Sequence, residues 1–106
     1  MTFRAVLTAT RPGAGGPPVR DVLSFEVPSS TEWAFQHVSP PFRPNVFVDI
    51  THTIERKIDA MACYGSESRP SPHPRSPEVL RAAAARWGSA AGVPFAEALE
   101  LIRGLR

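Results

Sequence analysis

Apolar residues recur along this chain with two different periods, and the change between them marks out its elements. Over residues 2–10, Phe3, Val6 and Leu7 with Ala5 and Ala9 share one face at helical spacing. No N-cap precedes the pattern, and a helix this short is marginal alone, since about 12–15 residues are usually needed. The pattern therefore predicts the end of a longer helix. Val22 to Val27 is rich in β-branched and aromatic residues and stops at Pro28, which predicts a strand with Glu26 near its C-terminal end. Asn45 to Ile50 predicts a second strand; Val46, Phe47, Val48 and Ile50 are nearly continuous, as in a strand covered on both faces.

Helical spacing then returns. Ile54, Ile58, Met61 and Ala62 fall at i, i+4, i+7 and i+8, with Glu55, Arg56, Lys57 and Asp59 outside. Asp49 or Thr51 is placed to cap this helix, and Gly65 to end it. Ser76-Pro77-Glu78 opens a further helix in the favoured order of N-cap, Pro at N1 and acid in the first turn. Leu80, Ala83, Ala84 and Trp87 are its expected buried stripe, and Gly88 and Gly92 fray or end it. Val93 to Arg103 fits two readings. Propensity favours helix for Phe95–Glu100, whereas Leu99–Ile102 could equally form an edge strand.

Eleven of the twelve prolines cluster between these pieces, in 12–18, at 28, in 40–44 and in 70–77. They divide the chain into short ordered pieces joined by stiff, irregular connections. Pro12-Gly-Ala-Gly-Gly-Pro-Pro18 reads as a solvated loop. As a phosphate cradle its glycines fail, because a helix precedes them and none follows. Arg69-Pro-Ser-Pro-His-Pro-Arg75 excludes regular structure and is expected to lie extended.

At 106 residues the chain is one domain at most, and a small domain buries a modest share of its surface. The hydrophobic fraction of 42% and charged fraction of 21% suit a soluble globular protein. A net charge of +2 from scattered arginines gives no basic stripe, so nucleic-acid binding has no electrostatic support. The single cysteine, Cys63, excludes an internal disulfide framework and fits a reducing compartment. No apolar run approaches the ~18 residues of a membrane span, and the N-terminus has no signal-peptide pattern, so a cytoplasmic location is expected.

Local chemistry is sparse. His37, His52 and His73 stand outside zinc-finger or His-x-x-x-His spacing. Asp49 and His52 could ligate a metal only if a third group converged on them, and residues at a helix start more often serve as caps. Ser29, Ser30 and Thr31 lack the Gly-x-Ser-x-Gly setting of a nucleophile, so their hydroxyls are expected to bond neighbouring amides in a turn. Cys63, beside the apolar face of its helix, is expected to be a packed thiol. His73, bracketed by prolines, is held in place without secondary structure, which suits a functional loop residue as well as an ordinary exposed one.

Four blocks taken together resemble the LmbE-like, or PIG-L, family of zinc-dependent N-acetylglucosamine deacetylases, in the family's order. They are Phe3-Arg-Ala-Val-Leu-Thr-Ala-Thr-Arg-Pro12, Val22–Trp33, Pro44–Gly65, and His73-Pro-Arg-Ser-Pro77 through Gly92-Val-Pro-Phe-Ala-Glu-Ala98. They cover most of the chain, and Glu26-Val-Pro-Ser-Ser-Thr-Glu-Trp33 and His73-Pro-Arg-Ser76 are the most specific.

The resemblance implies an α/β fold of Rossmann-like, three-layer type, with residues 1–106 as the C-terminal part of one domain, of about two to three strands and three helices. It implies hydrolysis of the N-acetyl amide of a GlcNAc-containing substrate by zinc-bound water with an aspartate as general base. The family's His-Pro-Asp-Asp-Glu motif and its later histidine motif are not in this sequence. Met1 would then be an internal methionine, or the start of a truncated or frameshifted gene. Zinc belongs to the full-length family; none is expected for this chain alone, which should be inactive. Glu26, Ser29, Ser30, Thr31 and Arg75 would contact the amino-sugar substrate, and His73 would stabilise the oxyanion, in the same or a neighbouring subunit of a homo-oligomer. His52 stands where relatives commonly carry an acidic residue. The other expectation is a small non-catalytic binding or assembly partner of a full-length deacetylase.

Overall fold

The computed structural model describes residues 2–13, 15–27, 41–65 and 69–106. The elements are α1 (Thr2–Ala9), β1 (Asp21–Phe25), β2 (Val46–Asp49), α2 (Ile54–Ala62), α3 (Pro77–Ala91) and β3 (Ala96–Gly104). Among the described residues the fold is mixed α/β: three helices and a three-stranded sheet in the order β1-β3-β2. Both pairings are antiparallel. The two strands expected from the sequence therefore do not meet; each pairs with β3.

β3 corrects the expectation for Val93–Arg103. It is neither a helix over Phe95–Glu100 nor an edge strand over Leu99–Ile102, but the central strand. Alanine, glutamate and leucine favour a helix locally, and strand pairing on both sides overrides that weak preference. Ala96 and Ala98 are 1% and 2% exposed, and α3 packs over β3 and β2. The small side chains let the helix approach closely.

Ser76 caps α3 as its sequence predicts. Its backbone is extended (φ −70°, ψ 150°), and its Oγ accepts a hydrogen bond from the Val79 amide at 3.2 Å. Gly92 closes the helix at φ 84°, where L side chains are strained, and its N–H donates to the Gly88 carbonyl at 2.8 Å. Gly88 itself stays inside the helix. A Cβ there would lie 2.4 Å from the Val93 carbonyl oxygen and 2.7 Å from that of Pro94, so glycine is what lets the chain turn back into β3.

The core joins Ile50, Ile54, Ile58, Leu80 and Ala84, flanked by Met61 and Phe95. α2 begins at Ile54 with Thr53 at the N-cap position, and the Thr53 side chain makes no capping hydrogen bond. Asp49 instead accepts hydrogen bonds from the Thr51 amide and hydroxyl at 2.9 and 2.6 Å, closing a turn ahead of the helix. Cys63, expected to be packed, is exposed at the helix end. Ala62 is exposed as well, so the apolar stripe stops at Met61.

Among the described elements only one face of β2 is covered by a helix, whereas its nearly continuous apolar sequence predicts cover on both. Residues opposed across an antiparallel ladder share a face. Phe47 opposes Ala98 on the α3 side. Leu23, Phe25 and Val48 follow the alternation to the other side and are 41%, 67% and 47% exposed. α1 packs against no other described element, leaving Val6 and Leu7 exposed. No described helix is long and apolar enough to cross a membrane.

Gly88→Ala tests the close approach at the end of α3. Helix propensity alone favours alanine by about 1 kcal/mol, whereas the clash with the Val93 and Pro94 carbonyls should destabilise by about 1–3 kcal/mol. The urea midpoint is therefore expected to fall, and a rise would show that the helix and the following turn are not in contact. Ser76→Ala should cost about 1 kcal/mol through the lost cap.

Candidate functional site

The β1 ladder stops where Phe25 opposes Leu99, yet β3 begins earlier, at Ala96. Beyond that end, the open side of β3 and the helices enclose a cavity of about 170 Å³. Met61, Leu80, Ala84 and Ala98 give it apolar walls, and Glu26, Lys57 and Glu97 supply its polar groups. In parallel sheets a crevice forms at the carboxyl ends of the strands. In this antiparallel sheet it forms where one strand ends before its neighbour, and Glu26 is the first residue past that end.

Trp87 holds Glu26. Its Nε1–H donates to Glu26 Oε1 at 3.0 Å. The indole is itself fixed by Phe42 in a T-shaped contact (6.2 Å between centroids, 78° between planes) and by Phe47 at 6.3 Å. The Arg86 guanidinium carbon lies 4.6 Å from the indole centroid, within cation–π range. On the sequence Trp87 belongs to the buried stripe of its helix. It does pack there, half-buried, and its polar edge is what reaches the cavity.

Lys57 Nζ lies 3.4 Å from Glu97 Oε1. Sequence reasoning missed this pair, placing Lys57 on the solvent side of its helix and not counting Glu97 among the site residues. The alternation Ala96-Glu97-Ala98 was the available signal, hidden by its helical propensity. Both side chains are more than a third exposed (36% and 45%), so the pair orients the groups more than it stabilises the fold. The Arg81–Glu55 pair, at 3.0 Å to each carboxylate oxygen, is likewise a surface contact.

The proline loop enters through Pro74, which is buried and lines the cavity. His73 and Arg75, half-buried on either side of it, do not line it. The loop is tightened by the His73 amide donating to Pro70 O at 3.1 Å and the Ser76 amide to His73 O at 2.9 Å. His73 Nδ1 accepts from the Arg75 amide at 3.0 Å, so the neutral ring carries its proton on Nε2. A second proton, on Nδ1, would displace that amide. Ser29, Ser30 and Thr31 lie outside the described residues.

Zinc does not fit the donors present. Among the described residues no group of three or more His, Cys, Asp or Glu side chains converges. Glu26 is bonded to Trp87, Glu97 is paired with Lys57, and Asp49 is bonded to Thr51. Among the described residues, Asp49 and His52 have no third ligand of the kind a site there would need.

Asp49 has a lowered pKa. The Thr51 hydroxyl is the main cause, the Thr51 amide adds to it, and His52 contributes weakly against a small opposing effect of desolvation. A carboxylate with a depressed folded-state pKa stabilises the fold above its unfolded value and loses that contribution as pH falls through the folded value. Thr51→Val should therefore move the Asp49 titration midpoint, read from its carboxyl carbon by NMR, back up toward the ordinary 3.8. An unchanged midpoint would mean that the hydroxyl contact is absent in solution.

Comparison with protein-family models, with curated proteins and with solved structures finds no match to this chain.

Proposed function

We propose that this chain is the C-terminal part of a zinc-dependent deacetylase of the LmbE-like type, acting on the N-acetyl amide of a GlcNAc-containing substrate. Its own contribution is pocket wall, not metal chemistry. The four sequence blocks support the family reading, and the cavity at the end of β1 carries the functional one. An apolar surface bordered by a few oriented polar groups suits a sugar ring, whose faces are apolar and whose rim is hydroxylated. Glu26 and Glu97 would accept hydrogen bonds from hydroxyl or amino groups, with Glu26 already oriented by Trp87. At about 170 Å³ the cavity is below the ~300–1,000 Å³ of sites that enclose a whole ligand, so it would take part of the substrate.

In this reading the sheet belongs to a larger Rossmann-like, three-layer domain, and another layer covers Leu23, Phe25 and Val48. Zinc and the general base come from family motifs that this chain does not carry, so the chain alone does not hydrolyse amides. Ser29, Ser30 and Thr31, which lie outside the described residues, would contact the amino sugar in this reading. His73 and Arg75 act beyond the cavity, on the outer part of the substrate or in a neighbouring subunit of a homo-oligomer. There the Nε2 proton of His73 stabilises the tetrahedral oxyanion.

A second reading rests on a different observation. The uncovered apolar sheet face is also what a small non-catalytic partner would use to assemble with a full-length deacetylase.

The test is a titration of the isotopically labelled chain with glucosamine and N-acetylglucosamine, followed by NMR. Saturable shifts are expected at the Trp87 indole N–H and the amides of residues 96–98, and Glu26→Gln should weaken binding about tenfold through the lost acceptor. Silence at those positions would remove the pocket-wall reading. The intact mass of the protein in its native cell separates the two readings, because a value well above 11.5 kDa is required by the first and excluded by the second.

A further inference from the structure

A second cavity lies at the opposite end of β3, and nothing in the proposed activity uses it. It measures about 310 Å³, at the lower end of the ~300–1,000 Å³ typical of small-molecule sites. One wall is formed by residues 9–13 and 15–19, and the other by Arg103, Gly104 and Leu105 at the end of β3. Positive φ angles at Gly13, Gly15 and Gly16 (79°, 87° and 76°) turn the loop back so that it faces the strand. Two long-range bonds tie the walls together: Arg103 Nη2 donates to the Thr10 carbonyl at 2.6 Å, and the Leu105 amide to the Arg20 carbonyl at 2.6 Å.

The composition of the lining selects the ligand. Pro12, Val19 and Leu105 give it apolar surface, and Arg11 and Arg103 are the only charged residues among the described ones that line it. No carboxylate is among its described lining residues. Asp21, opposite Gly104 in the ladder, is already held by Arg106 at 2.6 Å. The Arg11 side chain has no ion-pair or hydrogen-bond partner among the described residues. Arg103 uses Nη2 for Thr10, and a guanidinium has five N–H donors, so the group can also serve an anion. Two arginines line this apolar hollow with no acid among its described lining residues, and guanidinium groups hold oxyanions by charge-assisted bonds. The familiar glycine-loop cradle for phosphate depends on a following helix N-terminus; here β1 follows, so recognition rests on the arginines.

We propose that this cavity binds a small amphiphilic anion, with a carboxylate or phosphate group at Arg11 and Arg103 and an apolar body against Pro12, Val19 and Leu105. The site stands apart from the Glu26 cavity and is independent of the deacetylase reading.

The experiment titrates the labelled chain at low ionic strength with benzoate and phenyl phosphate, using benzyl alcohol and benzylamine as uncharged and cationic controls. Saturable shifts are expected at the amides of Gly13, Gly15, Gly16 and Leu105 with both anions, and about tenfold or weaker binding of the controls. The stronger of the two anions identifies the headgroup. Arg11→Gln, at an exposed position without partners, should leave the spectrum folded and weaken anion binding about tenfold. Equal binding of benzyl alcohol, shifts elsewhere in the chain, no saturable shift, or unaltered affinity in Arg11→Gln would each overturn the proposal.

Discussion

β3 provides the hydrogen-bond partners for both β1 and β2, and neither flanking strand touches the other. Without β3 two short strands would have unpaired backbone groups and no sheet to join. The strand in turn needs α3 close above it. Ala96 and Ala98 leave room for the helix, and Gly88 lets the chain pass from helix to strand against the Val93 and Pro94 carbonyls. A Cβ at residue 88, or a larger side chain at residue 96 or 98, would force the helix away from the sheet that anchors it.

Both cavities follow from this arrangement, because each sits at an end of the shared strand. At the N-terminal end of β3, β1 stops short, and the gap in the ladder becomes a hollow between sheet and helices with Glu26 at its rim. At the C-terminal end, the glycine loop returns against Arg103 and Leu105. The two hollows differ in charge. Among the described lining residues, the first has two carboxylates and one lysine, whereas the second has two arginines and no acid. They therefore present different chemistry, carboxylate acceptors at one end of β3 and arginine side chains at the other.

Trp87 and His73 show how a local pattern can place a residue while leaving its role open. Helical spacing puts Trp87 on the inner face of α3, and that face is where it packs. Which atom its indole N–H meets depends on the end of β1, 61 residues away in sequence. Proline brackets hold His73 in a short turn, and the Arg75 amide selects the tautomer of its ring. The cavity beside that turn takes Pro74 and leaves the two flanking cationic residues outside.

What the sequence determined by itself was local and short-range. The Ser76-Pro77-Glu78 start of α3, the apolar face of α2 through Ile54, Ile58 and Met61, the β-branched runs of β1 and β2, and the turn of the glycine–proline segment all depend on residues within a few positions of one another. Tertiary structure decided what those positions face. The helix-prone run from Phe95 to Glu100 became the start of the central strand because two strands, each remote in sequence, had edges to satisfy. Val48, Cys63 and Lys57 took environments their own segments do not specify, because burial depends on which elements pack alongside. Secondary structure is set largely by neighbours along the chain, whereas strand partners, covered faces and cavities are set by neighbours in space.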